Sequence, residues 1–162
     1  EVLVPDEIPL DYIESIAFIS KASLEEGERL WGNKRHPPFE VDRDLFHEGF
    51  PYVEDALLTS QEVNKDNVET TEFSNKREFM VERNSRATLL VNLKAVPGLQ
   101  ARILWTTSDG KTISEENTEF EKGSGYWHWS SIGIEGLNGG SYFVEYYLGD
   151  TSWIKIPFKV RR

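Results

Sequence analysis

From about residue 53 to the C-terminus, apolar side chains recur at every second position. Side chains two apart in a strand point to the same face. Near the end of the chain the pattern is clearest. Tyr142, Val144, Tyr146 and Leu148 share one parity, and Phe143, Glu145 and Tyr147 take the other. After Gly149, Asp150, Thr151 and Ser152 the alternation resumes with Ile154, Ile156, Phe158 and Val160 as an apolar stripe, while Trp153, Lys155, Pro157 and Lys159 face away. Two such runs around turn-forming residues predict an antiparallel hairpin. Pro157 removes a backbone donor, so the last strand is expected at a sheet edge or with a bulge there.

Upstream, shorter runs read the same way. Strands are expected over 54–63, 79–83, 87–93, 101–107, 111–113 and 126–134, with a further short one possible over 115–120. Asn84-Ser85, Pro97-Gly98, Asp109-Gly110 and Gly123-Ser124-Gly125 mark turns between them. Residues 64–75 are polar and acidic, a loop or a weak strand. Helices and β-α-β alternation are missing from this stretch, which predicts an antiparallel sandwich and not a doubly wound or barrel enzyme scaffold.

The first third differs. Residues 1–9 form an extended lead-in. Residues 10–19 are apolar at 12, 13, 16 and 17, a spacing that suits a short helix, although so short a run also fits a strand. Ser23 and Glu26 fit a capping box, leading a helix to about Trp31 that Gly32-Asn33 stops. Residues 34–52 are irregular but rich in Phe39, Phe46, Phe50 and Tyr52, and are expected to lie pinned across a surface. The expected organisation is a helical and irregular extension over 1–52 packed on a sandwich over 53–162.

Composition changes this picture only in part. The 162 residues are 38% hydrophobic, enough for a core, and contain no cysteine, so disulfides and thiolate metal sites are excluded. The net charge is −10, which argues against nucleic acid or an anionic membrane as partner. No apolar run is long enough to span a bilayer. The sequence begins with Glu1, as expected of a processed chain or of a piece of a larger one, surface or secreted, with an extracellular or periplasmic location favoured over the cytoplasm.

Leu104-Trp105, Asp109-Gly110-Lys111, Gly139-x-Ser141-Tyr142-x-Val144 and Phe158-x-Val160, in that order, resemble immunoglobulin-like or fibronectin-type-III-like accessory sandwiches. The likeness covers about two thirds of the chain and implies a mainly β, antiparallel immunoglobulin-like β-sandwich. Leu137, Gly140, Tyr142 and Trp153 are similar in order to starch- and glycogen-binding sandwiches, whose upstream Gly-Asp-Phe-Asn-x-x-Trp segment this chain lacks.

The candidate chemistry is aromatic. Trp127 and Trp129 share one parity, and Phe143, Tyr147 and Trp153 fall opposite the hairpin's apolar stripe. Flat rings on one sheet would stack on sugars or anchor a protein. The competing expectation is that residues 1–52 cover them. His36, Asp42, Asp44, His47 and Glu48 form an acidic, histidine-containing group, but their spacing matches no metal motif. His128 lies near Ser130 and Ser131 in a strand, which makes no triad. Glu115-Glu116 falls in an expected turn without the burial that retunes a carboxylate. Gly123-Ser124-Gly125 lacks the lysine and helix of a phosphate loop. The sequence therefore reads as a non-catalytic protein-interaction or spacer domain without metal or cofactor. The alternative is a carbohydrate-binding module using the aromatic face, so the expected partner is a protein or a glycan.

Overall fold

In the computed structural model the described residues are 9–46 and 49–162. The expected lead-in over 1–9 falls outside them except for Pro9. Two sheets make the body. Strand β3 (Tyr52–Thr59), β5 (Arg86–Ala95) and β8 (Ser124–Gly133) form the smaller, in the order β3-β5-β8. The larger takes β4 (Glu78–Met80), β10 (Thr151–Arg161), β9 (Gly140–Leu148), β6 (Gln100–Thr107) and β7 (Thr112–Glu119), in the order β4-β10-β9-β6-β7. Every pairing in these sheets is antiparallel except β10 with β4.

The alternation sets the core. Leu89, Val91 and Leu93 of β5 face Ile103 and Trp105 of β6, Val144 and Tyr146 of β9, and Ile154, Ile156 and Phe158 of β10 in one buried cluster. At its centre the Trp105 indole meets Phe158 edge-on, with centroids 5.8 Å apart. Phe158 in turn meets Phe79 at 5.7 Å and stacks on Tyr142 at 5.5 Å. The indole N–H of Trp105 donates to Ser130 Oγ at 3.2 Å, so the one polar atom of that ring is satisfied across the two sheets. Tyr142, near the start of β9, donates its hydroxyl to the Asn138 carbonyl at 2.7 Å. A three-stranded sheet packed on a five-stranded one, a buried Trp on β6 and a tyrosine corner four residues past its acceptor together make an immunoglobulin-like sandwich.

Local structure departs from the periodicity in instructive ways. Residues 111–113 and 115–120, read as separate pieces, form the single strand β7, held by its ladder to β6 despite its polar sequence. The bulge in β10 lies between Ser152 and Ile154, not at Pro157. Pro157 sits instead where β10 has no second neighbour, because β4 pairs only with Lys159–Arg161.

The first third contains one turn of 3₁₀ helix over Leu10–Tyr12 and strand β1 (Ile16–Phe18), so the short helix expected over 10–19 is not formed. β1 instead pairs in parallel with β2 (Phe39–Val41), and interstrand bonding outweighs the ambiguous spacing of so short a run. Helix α1 (Lys21–Trp31) starts earlier than the sequence implied: Ser20 is its N-cap, and Ser20 and Ser23 form the reciprocal box. Ser20 also donates to the Val53 carbonyl, which ties the helix start to β3. Ala22 belongs to the same buried cluster as the sandwich core. Gly27 lies under the Phe18 ring, where a Cβ would stand 2.4 Å from Cζ, so this mid-helix glycine admits the ring. Among the described residues no helix is long and apolar enough to cross a membrane.

Candidate functional site

The expected aromatic residues divide among three environments. Trp127 and Trp129 lie on the outer face of the smaller sheet. Cross-strand register sets Leu57, Leu90 and Trp129 in one row, with Trp127 opposite Asn92. This face is covered, but not by residues 1–52 as the competing expectation had it. The segment between β3 and β4 folds back, and Val63, Val68 and Phe73 pack on Leu90 and the two tryptophans. Asn64 holds that strap in shape by accepting from the Asp66 and Asn67 amides at 3.0 and 3.1 Å. Acidic composition had concealed the three apolar anchors that make this loop a lid.

Trp153 sits at the bulge of β10 and packs against the main core cluster. Phe143 and Tyr147 remain. Together with Leu104 they lie on the outer face of the larger sheet, half-buried, and belong to neither buried cluster.

Register organises this face into rows. Asn117, Arg102 and Tyr147 form one, Glu115, Leu104, Glu145 and Lys155 the next, and Thr106, Phe143 and Pro157 the third. The Arg102 guanidinium lies over the Tyr147 ring, 4.1 Å from its centroid, and Lys155 Nζ lies 4.8 Å from that of Phe143. Glu145 stands between the rings and accepts from the Tyr147 hydroxyl at 2.7 Å and from Lys155 at 2.8 Å. Desolvation pushes the Glu145 carboxyl up, but the hydrogen bonds from Lys155 and Tyr147 outweigh it and leave its pKa below the usual carboxylate value. The same bond to Glu145, aided by partial burial, raises the Tyr147 phenol. The face is thus a pre-ordered patch of two rings, each capped by a cation, around one ionised carboxylate.

Among the described residues, His128, Ser130 and Ser131 of β8 are each engaged in structural contacts. His128 Nδ1 meets the buried Tyr146 hydroxyl at 2.9 Å. Ser130 serves Trp105, and Ser131 pairs with Thr88 at 2.7 Å. His36 Nδ1 lies 2.6 Å from the Pro37 carbonyl and its ring packs on Phe39, while Asp42 caps the Asp44 amide. His47 and Glu48 lie outside the described residues. Among the described residues no three His, Asp or Glu side chains converge as a metal centre.

The His128 environment has a measurable consequence. Burial lowers its pKa below 6.5, and the attraction of Glu116 only partly offsets this. The unfolded chain therefore takes up a proton first as pH falls, so stability drops below about pH 6.5 until His128 protonates in the fold. His128→Gln is expected to flatten this part of the profile. Urea midpoints between pH 7.5 and 5 check it, and an unchanged slope in the variant would contradict it.

No protein-family model matches the chain, and no curated protein sequence matches it either. Solved structures do. An immunoglobulin-like protein from Pseudomonas aeruginosa aligns over 69% of this chain and 97% of its own, at 12% identity and a TM-score of 0.48. The C-terminal domain of Wzt aligns over 72% of this chain and 77% of its own, at 15% identity and a TM-score of 0.45. Alkylpurine DNA glycosylase AlkC from Pseudomonas fluorescens, in a complex with DNA containing an abasic site analog, aligns over 69% of this chain and 30% of its own, at 10% identity and a TM-score of 0.42. What the surface binds has to come from its own residues.

Proposed function

We propose that this chain is a non-catalytic interaction domain of a larger surface or secreted protein, and that it binds a protein partner through the outer face of the larger sheet. One observation carries this. Phe143, Leu104 and Tyr147 stand outside both buried clusters, while charged neighbours already fix the rings in place. Rings held this way lose little freedom on binding, and a surrounding polar rim is the usual anatomy of a protein interface.

The same geometry disfavours the glycan alternative. A sugar needs an open ring face, yet Arg102 and Lys155 occupy faces of Tyr147 and Phe143. Trp127 and Trp129 lie under the strap, and Trp153 packs on the core.

The double variant Phe143→Ala, Tyr147→Ala tests the proposal. The rings are half-buried on an outer face, so the double variant is expected to lose some stability yet remain folded, which its melting curve and circular dichroism check before binding is measured. Affinity for the native partner falls about tenfold or more, the scale of an aromatic hot spot. Retained partner binding by the folded variant, or saturable binding of wild-type protein to a glycan array lost in the variant, would overturn it.

A further inference from the structure

A groove flanks this face along β10. Two hollows, of about 300 and 490 Å³, both include Arg77 and Pro157 in their walls. The first runs between α1 and β10, over Ala22, Ala56, Ile154 and Ile156. The second opens on Phe143 and Phe158 and reaches Lys159.

Its charge is opposite to that of the chain. The protein carries −10 overall. In the groove most charges are already matched: Arg29 with Glu26, Lys155 with Glu145, Glu78 with Arg161 and Glu25 with Lys21. Arg77 and Lys159 are left, with no carboxylate at ion-pair distance among the described residues. Arg77 is accessible as a residue, but packing around its guanidinium partly desolvates it and lowers its pKa, against a weaker pull from Glu25. A partly desolvated guanidinium with no carboxylate in contact is stabilised by an incoming carboxylate, which it binds through two parallel bonds.

The groove also holds a sheet edge. The Lys159 amide donates to the Arg77 carbonyl at 2.9 Å, which fixes the side to which this parity of β10 points. Alternation along a strand then turns the Lys155 amide and carbonyl and the Pro157 carbonyl to that same side. β4 stops at the partner of Lys159, so among the described residues no strand pairs with β10 at Lys155–Pro157 on that side, where α1 and β3 form the far wall of the hollow.

We infer that this groove receives an acidic, extended segment of the protein partner, which aligns along β10 at Lys155–Pro157 and places a carboxylate on Arg77 and Lys159. This rests on the proposed protein-binding role of the adjoining face. An extended peptide supplies together what the groove asks for: backbone groups for the strand edge, apolar side chains for Phe143 and Pro157, and negative charge for the two cations.

The probe is a blocked hexapeptide alternating glutamate and leucine, with a glutamine-for-glutamate version as control. Both are titrated into the ¹⁵N-labelled chain. Saturable shifts are expected at the Lys155 and Lys159 amides and the Arg77 Nε–H, with the acidic peptide only. Arg77→Gln is expected to weaken binding about tenfold or more. Arg83→Gln, which removes the same charge elsewhere, should change it less than about twofold. Several results would each overturn the inference: equal binding of the glutamine peptide, shifts outside the groove, equal effects of the two arginine variants, tighter occupation by an anionic oligosaccharide such as oligogalacturonate, or the same shifts appearing on concentrating the chain alone. Any of these alongside a Phe143→Ala, Tyr147→Ala variant that still loses its partner removes the groove and leaves the protein-binding face standing.

Discussion

Trp105→Ala is expected to lower the stability of the domain by about 3–5 kcal/mol, the range for truncating a large buried ring. Trp105 is fully buried and lies against Phe158, the ring that also holds Phe79 and Tyr142. Its loss opens a cavity where the two sheets meet. It also strands Ser130 Oγ, which is 5% exposed and accepts from the indole, adding the desolvation cost of an unpaired polar group. For a chain of this length such a loss lowers the melting temperature by roughly 6–20 °C. Trp105→Phe keeps most of the volume and loses only the hydrogen bond and part of the ring, so it should cost less than half as much. Urea denaturation of the two variants checks the order. A Trp105→Ala cost below about 1.5 kcal/mol would mean that the ring cluster does not hold the sheets together.

Leu90→Ala is the second large effect, expected at about 2–3 kcal/mol. Leu90 is 1% exposed, yet it points away from the sandwich core, and the cover over it is the strap with Val63, Val68 and Phe73. The cost should sit toward the low end of the range for such truncations, because a surface strap can settle into the gap more freely than a sheet can. Trp127 and Trp129 share the pocket, so the variant should also show a red-shifted tryptophan emission and faster proteolysis within residues 60–75. If the strap were a solvated loop, as its acidic composition reads on its own, Leu90→Ala would cost less than about 0.5 kcal/mol and leave emission unchanged.

These two positions show what the sequence makes legible and what it does not. Strict alternation in β9 and β10 is dictated by one buried and one open face, so it can be read directly, and the sandwich follows from it. Leu90 breaks that logic. β5 is apolar on both faces from Leu89 to Val91, which signals a second covering layer, but nothing local says which part of the chain provides it. Val63, Val68 and Phe73 are too sparse among Glu62, Asp66, Glu69 and Glu72 to register as a period. The helix start is displaced for a related reason. Ser20 and Ser23 both have capping chemistry, and the choice is made by the bond from Ser20 to the Val53 carbonyl, a contact 33 residues away that no local window contains.

The aromatic set is legible as a list and not as a surface. Parity places Phe143 and Tyr147 on the outer side of their strand, and the structure keeps them there. Trp153 has the same parity in the sequence, but the bulge beside it shifts the register and sends it to the margin of the core. The capping cations come from other strands: Arg102 lies across from Tyr147, and Lys155 reaches Phe143 diagonally. Only the pairing of β6, β9 and β10 brings them together. It sets two half-buried rings in a fixed, charged patch, the feature on which the proposed protein-binding role rests.

The most direct test is photo-crosslinking in the native setting, with a benzophenone-bearing amino acid introduced in place of Tyr147 or, separately, in place of Trp129. A discrete adduct to one protein is expected from position 147, and none from position 129 beneath the strap. No protein adduct at 147, or the same adduct from both positions, would contradict the assignment of the outer face of the larger sheet as the recognition surface.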